Sequence, residues 1–80
     1  MQQKKAMVDP KFSKQLAFWE TLIDIDADNT PAQYLDAGDK VTIIADNVFY
    51  AGPHTDKEYC KVRHSMYGLG YMLKEGLVLI

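Results

Sequence analysis

The segment EYCKVRHSMYGLGYML, residues 58–73, decides the fold of this chain. Apolar or aromatic residues alternate with charged ones through EYCKVRH, residues 58–64, which is the pattern of a half-buried strand. LGYML, residues 69–73, follows a glycine and has the composition of a second strand. The segment therefore predicts two short strands of a small β-structure.

Strand signals continue on both sides of this segment. KVTIIAD, residues 40–46, is β-branched, and LVLI, residues 77–80, closes the sequence. NVFYAGPHTDKE, residues 47–58, contains Gly52-Pro53 and reads as a long hairpin loop. Short strands at intervals of about eight to twelve residues indicate a small barrel or sandwich.

The N-terminal part has a different period. Asp9-Pro10 reads as an N-cap followed by proline at the first helical position. Apolar residues then recur at helical spacing, at Phe12, Leu16, Trp19 and Ile23. We therefore expect a helix over residues 9–25. Its wide apolar face packs on the core or, alternatively, presents Phe18 and Trp19 to a partner or a second copy.

These signals give a mainly β fold with one helix, an α+β class. The N-terminal helix packs on a barrel of four to five short antiparallel strands. One domain is expected, with a flexible tail at 1–8, the helix at 9–25, an acidic loop at 26–37 and the barrel at 38–80. The expected core residues are Phe12, Leu16, Trp19, Ile23, Val41, Ile43, Val62, Leu69, Leu73 and Leu79.

Composition limits the possible functions. The 80 residues are 48% hydrophobic and 25% charged, which is typical of a globular domain. A net charge of −2 provides no global attraction to nucleic acid. Cys60 is the only cysteine, so no intrachain disulfide can form, and a reducing cytoplasm is expected. No apolar run is long enough to predict a signal peptide or a membrane span.

The strand segments resemble the bacterial Src-homology-3 family. In that family a Gly-Asp/Thr-x-Val turn opens a strand, an aromatic-rich strand similar to Trp-Tyr-Lys-Val-Arg follows, and a Gly-x-x-Gly-aromatic turn leads to the last strands. The matching positions are Gly38, Asp39, Val41, Ile43, Tyr59, Lys61, Val62, Arg63, Gly68, Gly70, Tyr71 and Leu73. The resemblance covers about residues 34–80 and implies a five-stranded SH3-like barrel.

No residue pattern names a reaction or a cofactor. Asp24, Asp26 and Asp28 form a D-x-D-x-D opening of a calcium loop, but the later ligand positions do not fit. We therefore interpret the stretch Asp24–Asp39 as a solvated acidic loop, with a weak cation site or a basic partner as the alternatives. Cys60 and His64 lie too far apart along a strand to act as a pair. We expect no enzyme activity, no cofactor and no metal.

The leading functional prediction is a small protein-binding adaptor or regulator. The candidate contact residues are aromatic or lie in the long loop, and they are Phe49, Tyr50, His54, Tyr59, Tyr67 and Tyr71. The alternative is a nucleic-acid-binding barrel that uses Tyr59, Lys61 and Arg63 on one strand face. A third possibility is an oligomer-forming protein that associates through the Phe18/Trp19 side of the helix.

Overall fold

The structure is a computed structural model, and it describes residues 4–26, 30–49 and 57–80. These residues form seven strands, one short α-helix and one 3-10 turn. In chain order the elements are β1 Lys4–Val8, β2 Gln15–Phe18, α1 Leu22–Asp26, β3 Gln33–Asp36, β4 Lys40–Phe49, β5 Glu58–His64, β6 Gly68–Leu73, the 3-10 turn Lys74–Gly76 and β7 Leu77–Leu79. Within the described ranges, no helix has the length and apolar character needed to cross a bilayer.

Five of the strands form one antiparallel sheet in the order β6-β5-β4-β1-β7, and β2 and β3 form a separate antiparallel hairpin. The hairpin reaches the β6 edge of the larger sheet. There the backbone N–H groups of Trp19 and Tyr71 each donate to the other residue's carbonyl, at 2.9 and 2.7 Å. The hairpin therefore covers part of the β6 edge.

The core lies between the larger sheet and the hairpin. Leu16 of β2 lies directly opposite Leu35 of β3, and both side chains are buried. The buried cluster also draws alternate residues from β1, β4, β5 and β6. Its members are Ala6, Val8, Leu16, Phe18, Leu35, Val41, Ile43, Cys60, Val62 and Met72. The two sheets are thus two layers around one apolar interior.

The predicted N-terminal helix over residues 9–25 is wrong, and the fold is all-β rather than α+β. Residues 15–18 instead form β2, in which Leu16 and Phe18 are both buried. Their spacing of two competes with the helical spacing, and pairing with β3 decides between them because it satisfies backbone groups and buries both side chains. Phe12, at the start of the expected helical row, is 44% exposed.

Asp9 and Pro10 begin a turn rather than a helix. The Asp9 carboxylate accepts the Lys11 backbone N–H at 2.9 Å, and the Asp9 carbonyl accepts N–H groups from Phe12 and Ser13. The helix that does form is the five-residue α1. Its N-terminus is capped by Thr21, whose hydroxyl accepts the Asp24 N–H at 3.2 Å and donates to the Asp24 carboxylate at 2.9 Å.

Two other expected segments also differ. Residues 4–8, predicted as part of a flexible tail, form β1 between β4 and β7, and Ala6 and Val8 are fully buried. Residues 33–36, predicted as part of the acidic loop, form β3. Both segments become strands because each supplies one side of a long-range pairing. The predicted association through an apolar helix loses its basis, since Phe18 is buried in β2.

The expected core was partly correct. Leu16, Val41, Ile43 and Val62 are buried, and Trp19 and Leu73 are half-buried. Phe12, Leu69 and Leu79 are exposed, and the side chain of Ile23 lies outside the description.

The two glycines of the segment YGLGY, residues 67–71, have different structural roles. Gly68 ends the turn between β5 and β6 with a φ of 80°, a conformation that favours glycine. Gly70 is buried against the ring of Phe18, and a Cβ atom there would lie 2.7 Å from the Trp19 carbonyl oxygen. The first glycine makes the hairpin turn, and the second lets the β2–β3 hairpin approach β6.

Candidate partner-binding face

The predicted tyrosines do not form one surface. Tyr59 is buried, with 7% of its surface exposed. Tyr67 is 41% exposed in the turn between β5 and β6, and Tyr71 is half-buried on β6. The contact surface proposed from sequence therefore loses Tyr59 as an exposed aromatic.

The loop residues of the predicted site are only partly described. Phe49 ends β4, and its backbone lies opposite Glu58. Tyr50 and His54 lie outside the described residues. The loop contribution therefore stays a prediction.

Tyr59 lies in the part of β5 whose pairing with β4 is irregular. Simple alternation places Tyr59, Lys61 and Arg63 on one face, opposite Cys60. However, β4 pairs with β5 through two register shifts between positions 43 and 48. Such bulges increase the local twist and redirect side chains. Arg63 is exposed and Lys61 half-exposed, while Tyr59 and Cys60 are both buried.

A row of residues crosses the face of the larger sheet that points away from the core. Lys5 lies opposite Thr42, Thr42 opposite Arg63, and Arg63 opposite Leu69. At the other end, the Ile80 N–H donates to the Lys5 carbonyl at 3.1 Å. Paired residues in antiparallel strands have Cα atoms about 4.5–5.5 Å apart. The row therefore runs without a gap from the end of β7 to β6.

Further pairs flank this row. Met7 lies opposite both Lys40 and Val78, and Lys61 lies opposite Tyr71. We call the combined surface the outer face. Its members are Lys5, Met7, Lys40, Thr42, Lys61, Arg63, Leu69, Tyr71, Val78 and Ile80.

Four cations lie on the outer face, namely Lys5, Lys40, Lys61 and Arg63. None forms an ion pair with a described residue. The ion pairs found among the described residues are Lys4–Asp46 at 3.0 Å, Lys57–Glu75 at 3.0 Å and Lys74–Glu58 at 3.4 Å. The carboxylates of β4 and β5 that are described, Asp46 and Glu58, are thus engaged elsewhere.

The charge of the outer face differs from that of the chain. The chain carries a net charge of −2, whereas this face has four positive side chains and, among the described residues, no acidic side chain. Like charges gathered on one face of a sheet do not stabilise it. They do create a local positive potential, which attracts an anionic ligand.

Apolar side chains lie between and beside these cations. Leu69 is 50% exposed, Val78 37% and Ile80 59%, and Met7 and Tyr71 are half-buried. Mixed apolar and cationic surface is suited to a partner that supplies carboxylates around apolar contacts, because apolar burial provides affinity and charge provides orientation.

An aromatic cluster holds the turn at one end of the outer face. The rings of His64 and Tyr67 are stacked with centroids 4.6 Å apart, and both approach the ring of Phe18. The His64 Nδ1 atom accepts the backbone N–H groups of Met66 and Tyr67 at 3.0 and 3.3 Å. His64 therefore caps the turn and fixes Tyr67, which is a structural role.

Cys60 is a buried free thiol. Its Sγ donates to the Asp46 carbonyl at 3.2 Å, where β4 is irregular. Burial raises the pKa of the Cys60 thiol, and the nearby Asp46 carboxylate adds to the effect. A buried protonated thiol is a poor nucleophile and a poor metal ligand.

Acidic side chains between Asp24 and Asp39 form a cross-strand hydrogen bond and a turn hydrogen bond. Asp36 accepts a hydrogen bond from the Gln15 side chain at 3.0 Å, and Asp39 accepts the Asp36 backbone N–H at 2.9 Å. Asp28 lies outside the described residues. Among the residues that are described, no group of three His, Cys, Asp or Glu side chains could hold a metal.

Sequence reasoning identified Lys61 and Arg63 but missed Lys5 and Lys40. The sequence contains little signal, because in KKAMV the two lysines are followed by three consecutive apolar residues rather than by an alternating pattern. Recognising Lys5 as a member of the face requires the pairing of β1 with β4, which the sequence does not state.

Comparisons with protein-family models, with curated proteins and with solved structures found no match.

Proposed function

We propose that the protein is a small non-enzymatic adaptor or regulator whose outer face binds an acidic, partly apolar segment of another protein. The observation that carries this proposal is the grouping of Lys5, Lys40, Lys61 and Arg63 without ion-pair partners among the described residues. The lysines that do form ion pairs lie off the outer face, so the positive charge of this face is available for a ligand.

The apolar part of the outer face favours a protein partner. Leu69, Val78 and Ile80 are aliphatic and exposed, and they provide contact area to apolar side chains but no platform for stacking bases. Tyr71 is half-buried, and the predicted stacking residue Tyr59 is buried.

Single-stranded nucleic acid is the second candidate ligand. Lys5 and Lys40 extend the basic pair Lys61 and Arg63 that the sequence suggested, and this supports phosphate contacts. The two candidates differ in salt dependence. Phosphate contacts release condensed counterions, so binding to nucleic acid falls steeply with salt, whereas a partly apolar protein contact falls less.

The test uses two labelled probes of equal charge. One is a synthetic peptide in which Glu alternates with Leu, and the other is a single-stranded oligonucleotide. Fluorescence anisotropy is measured for the unaltered protein and for Arg63→Glu and Lys61→Glu. Lys11→Glu is the matched control, because Lys11 is an exposed cation in the turn after β1 and lies off the outer face.

The proposal is supported if Arg63→Glu and Lys61→Glu each weaken peptide binding at least about tenfold, which is about 1.4 kcal/mol, while Lys11→Glu binds the peptide as the unaltered protein does. A peptide with Gln in place of Glu should bind more weakly. If only the oligonucleotide binds, the outer face is a nucleic-acid-binding surface, as the second candidate states. Equal effects of all three variants would contradict a localised site.

We also propose that the chain is related to the bacterial Src-homology-3 family and acts in a reducing compartment such as the cytoplasm. The five-stranded antiparallel sheet and the glycine turn at Gly68 support the first statement. The buried free thiol of Cys60 supports the second.

A further inference from the structure

We propose that β7 is a self-association edge, at which two copies of this chain pair antiparallel and join their larger sheets. The two edges of the sheet differ. The β2–β3 hairpin reaches β6 through Trp19 and Tyr71, whereas β7 pairs with β1 alone among the described residues. Residues 77–80 contain neither a charged side chain nor a proline, the features by which exposed edge strands usually avoid pairing with other chains.

The hydrogen bonds of β7 show which backbone groups face outward. The Ile80 N–H donates to the Lys5 carbonyl, and the Gly76 carbonyl accepts the Asp9 N–H at 2.9 Å. Because antiparallel pairs alternate between bonded and non-bonded positions, Val78 also bonds toward β1, and Leu77 and Leu79 point their backbone groups away from it.

One of these outward groups is already engaged. The Leu77 N–H donates to the Lys74 carbonyl and closes the 3-10 turn. The outward groups left on β7 are the Leu77 carbonyl and the N–H and carbonyl of Leu79.

The outward backbone groups of one β7 strand can pair with those of a second β7 strand. If two β7 strands pair antiparallel about a two-fold axis at Val78, Leu79 of each copy lies opposite Leu77 of the other. Each Leu79 N–H then donates to the Leu77 carbonyl across the seam, so two of the four hydrogen bonds of this pairing form, and the Leu79 carbonyls have no donor because the Leu77 N–H stays in the 3-10 turn. A second copy of this chain therefore fits the edge without any rearrangement of the 3-10 turn.

The side chains at this edge are apolar and exposed. Val78 is 37% exposed, Leu79 57% and Ile80 59%. In the paired arrangement, Val78 packs on its counterpart and Ile80 lies beside Gly76 of the second copy. The seam is short, so its area falls below the roughly 1,200 Å² of a standard stable interface, and a weak dimer is expected.

Pairing would place two outer faces on one continuous sheet. The four cations of each copy would then flank a shared apolar seam formed by Val78 and Ile80. A ligand with two acidic segments would bind such a dimer with avidity.

The test measures association from about 10 µM to about 1 mM by sedimentation equilibrium, a range suited to a weak dimer. Val78→Lys adds a charge at the seam, and Leu69→Lys adds the same charge to the outer face at the distant strand β6. Leu79→Pro removes the outward N–H, which an edge strand tolerates. Circular dichroism and thermal unfolding establish that each variant is folded.

Amide hydrogen exchange locates the seam. Exchange at Leu79 should slow with rising protein concentration, whereas exchange at Val78, already bonded toward β1, should change little. Concentration-dependent dimers that Val78→Lys and Leu79→Pro abolish, and that Leu69→Lys retains, support the proposal. A monomer at about 1 mM, or a dimer that persists in folded Val78→Lys, would overturn it.

Discussion

The backbone of Gly70 lies directly against the ring of Phe18, with no room between them for a side chain. A Cβ atom at position 70 would overlap Phe18 Cζ and lie 2.7 Å from the Trp19 carbonyl oxygen. The contact joins β6 to the β2–β3 hairpin at the same point where Trp19 and Tyr71 exchange backbone hydrogen bonds. The attachment of the two layers therefore depends on this glycine.

Gly70→Ala should destabilise the protein by about 1–3 kcal/mol, the usual cost of overpacking a core. The free energy of unfolding is measured with denaturant, and Leu69→Ala on the exposed side of β6 is the control. Adding Phe18→Leu should recover part of the Gly70→Ala loss, because the ring is one of the two obstacles. Strict additivity of the two changes would contradict the contact.

The turn between β5 and β6 should depend on the acceptor atom of His64. His64→Phe keeps a ring for stacking on Tyr67 but removes the Nδ1 acceptor of two backbone N–H groups. We expect a loss of about 1–2 kcal/mol and faster hydrogen exchange at Met66 and Tyr67. His64→Asn restores an acceptor and should lose less. Equal stability of wild type and His64→Phe would show that the two hydrogen bonds contribute nothing.

Cys60 should make stability fall at alkaline pH. Its pKa in the folded protein is raised above the ordinary value of 9.0, mainly by burial. Above about pH 9 the unfolded chain loses the thiol proton first, so the unfolded state gains stability until the folded thiol also ionises. The stabilising contribution is therefore complete below pH 9 and declines above it.

The measurement compares the free energy of unfolding of wild type and Cys60→Ala from pH 7 to 10.5, a range chosen around the thiol titration. Because lysines and tyrosines titrate in both proteins, the difference isolates Cys60. The advantage of wild type should shrink as the pH rises. A constant difference would mean that the thiol has the same pKa in both states.

The strands were easier to predict than their pairing. The segments at β4, β5, β6 and β7 have β-branched or alternating residues, so local pattern alone identifies them. Leu16 and Phe18 satisfy two periods at once, and only the presence of Leu35 opposite Leu16 selects the strand. Lys5 joins Arg63 on one face through Thr42, a relation among three strands that no local window contains.

The cations of the outer face should be dispensable for folding. Arg63 is exposed, lies two strands away from Lys5 and has no ion-pair partner among the described residues, so Arg63→Gln removes repulsion and no attraction. The free energy of unfolding should change by no more than about 0.5 kcal/mol, as for ordinary surface substitutions. The thermal midpoint should become less sensitive to salt, because salt screens the repulsion that the variant lacks.

Lys4→Gln is the matched comparison, since Lys4 is an exposed cation paired with Asp46. It should cost a few tenths of a kcal/mol, the usual value of a surface ion pair. If Arg63→Gln instead lowered stability by more than 1 kcal/mol, Arg63 would be a structural residue. The unpaired cations would then no longer support a binding face. Retained stability combined with lost peptide binding would separate folding from function at a single residue.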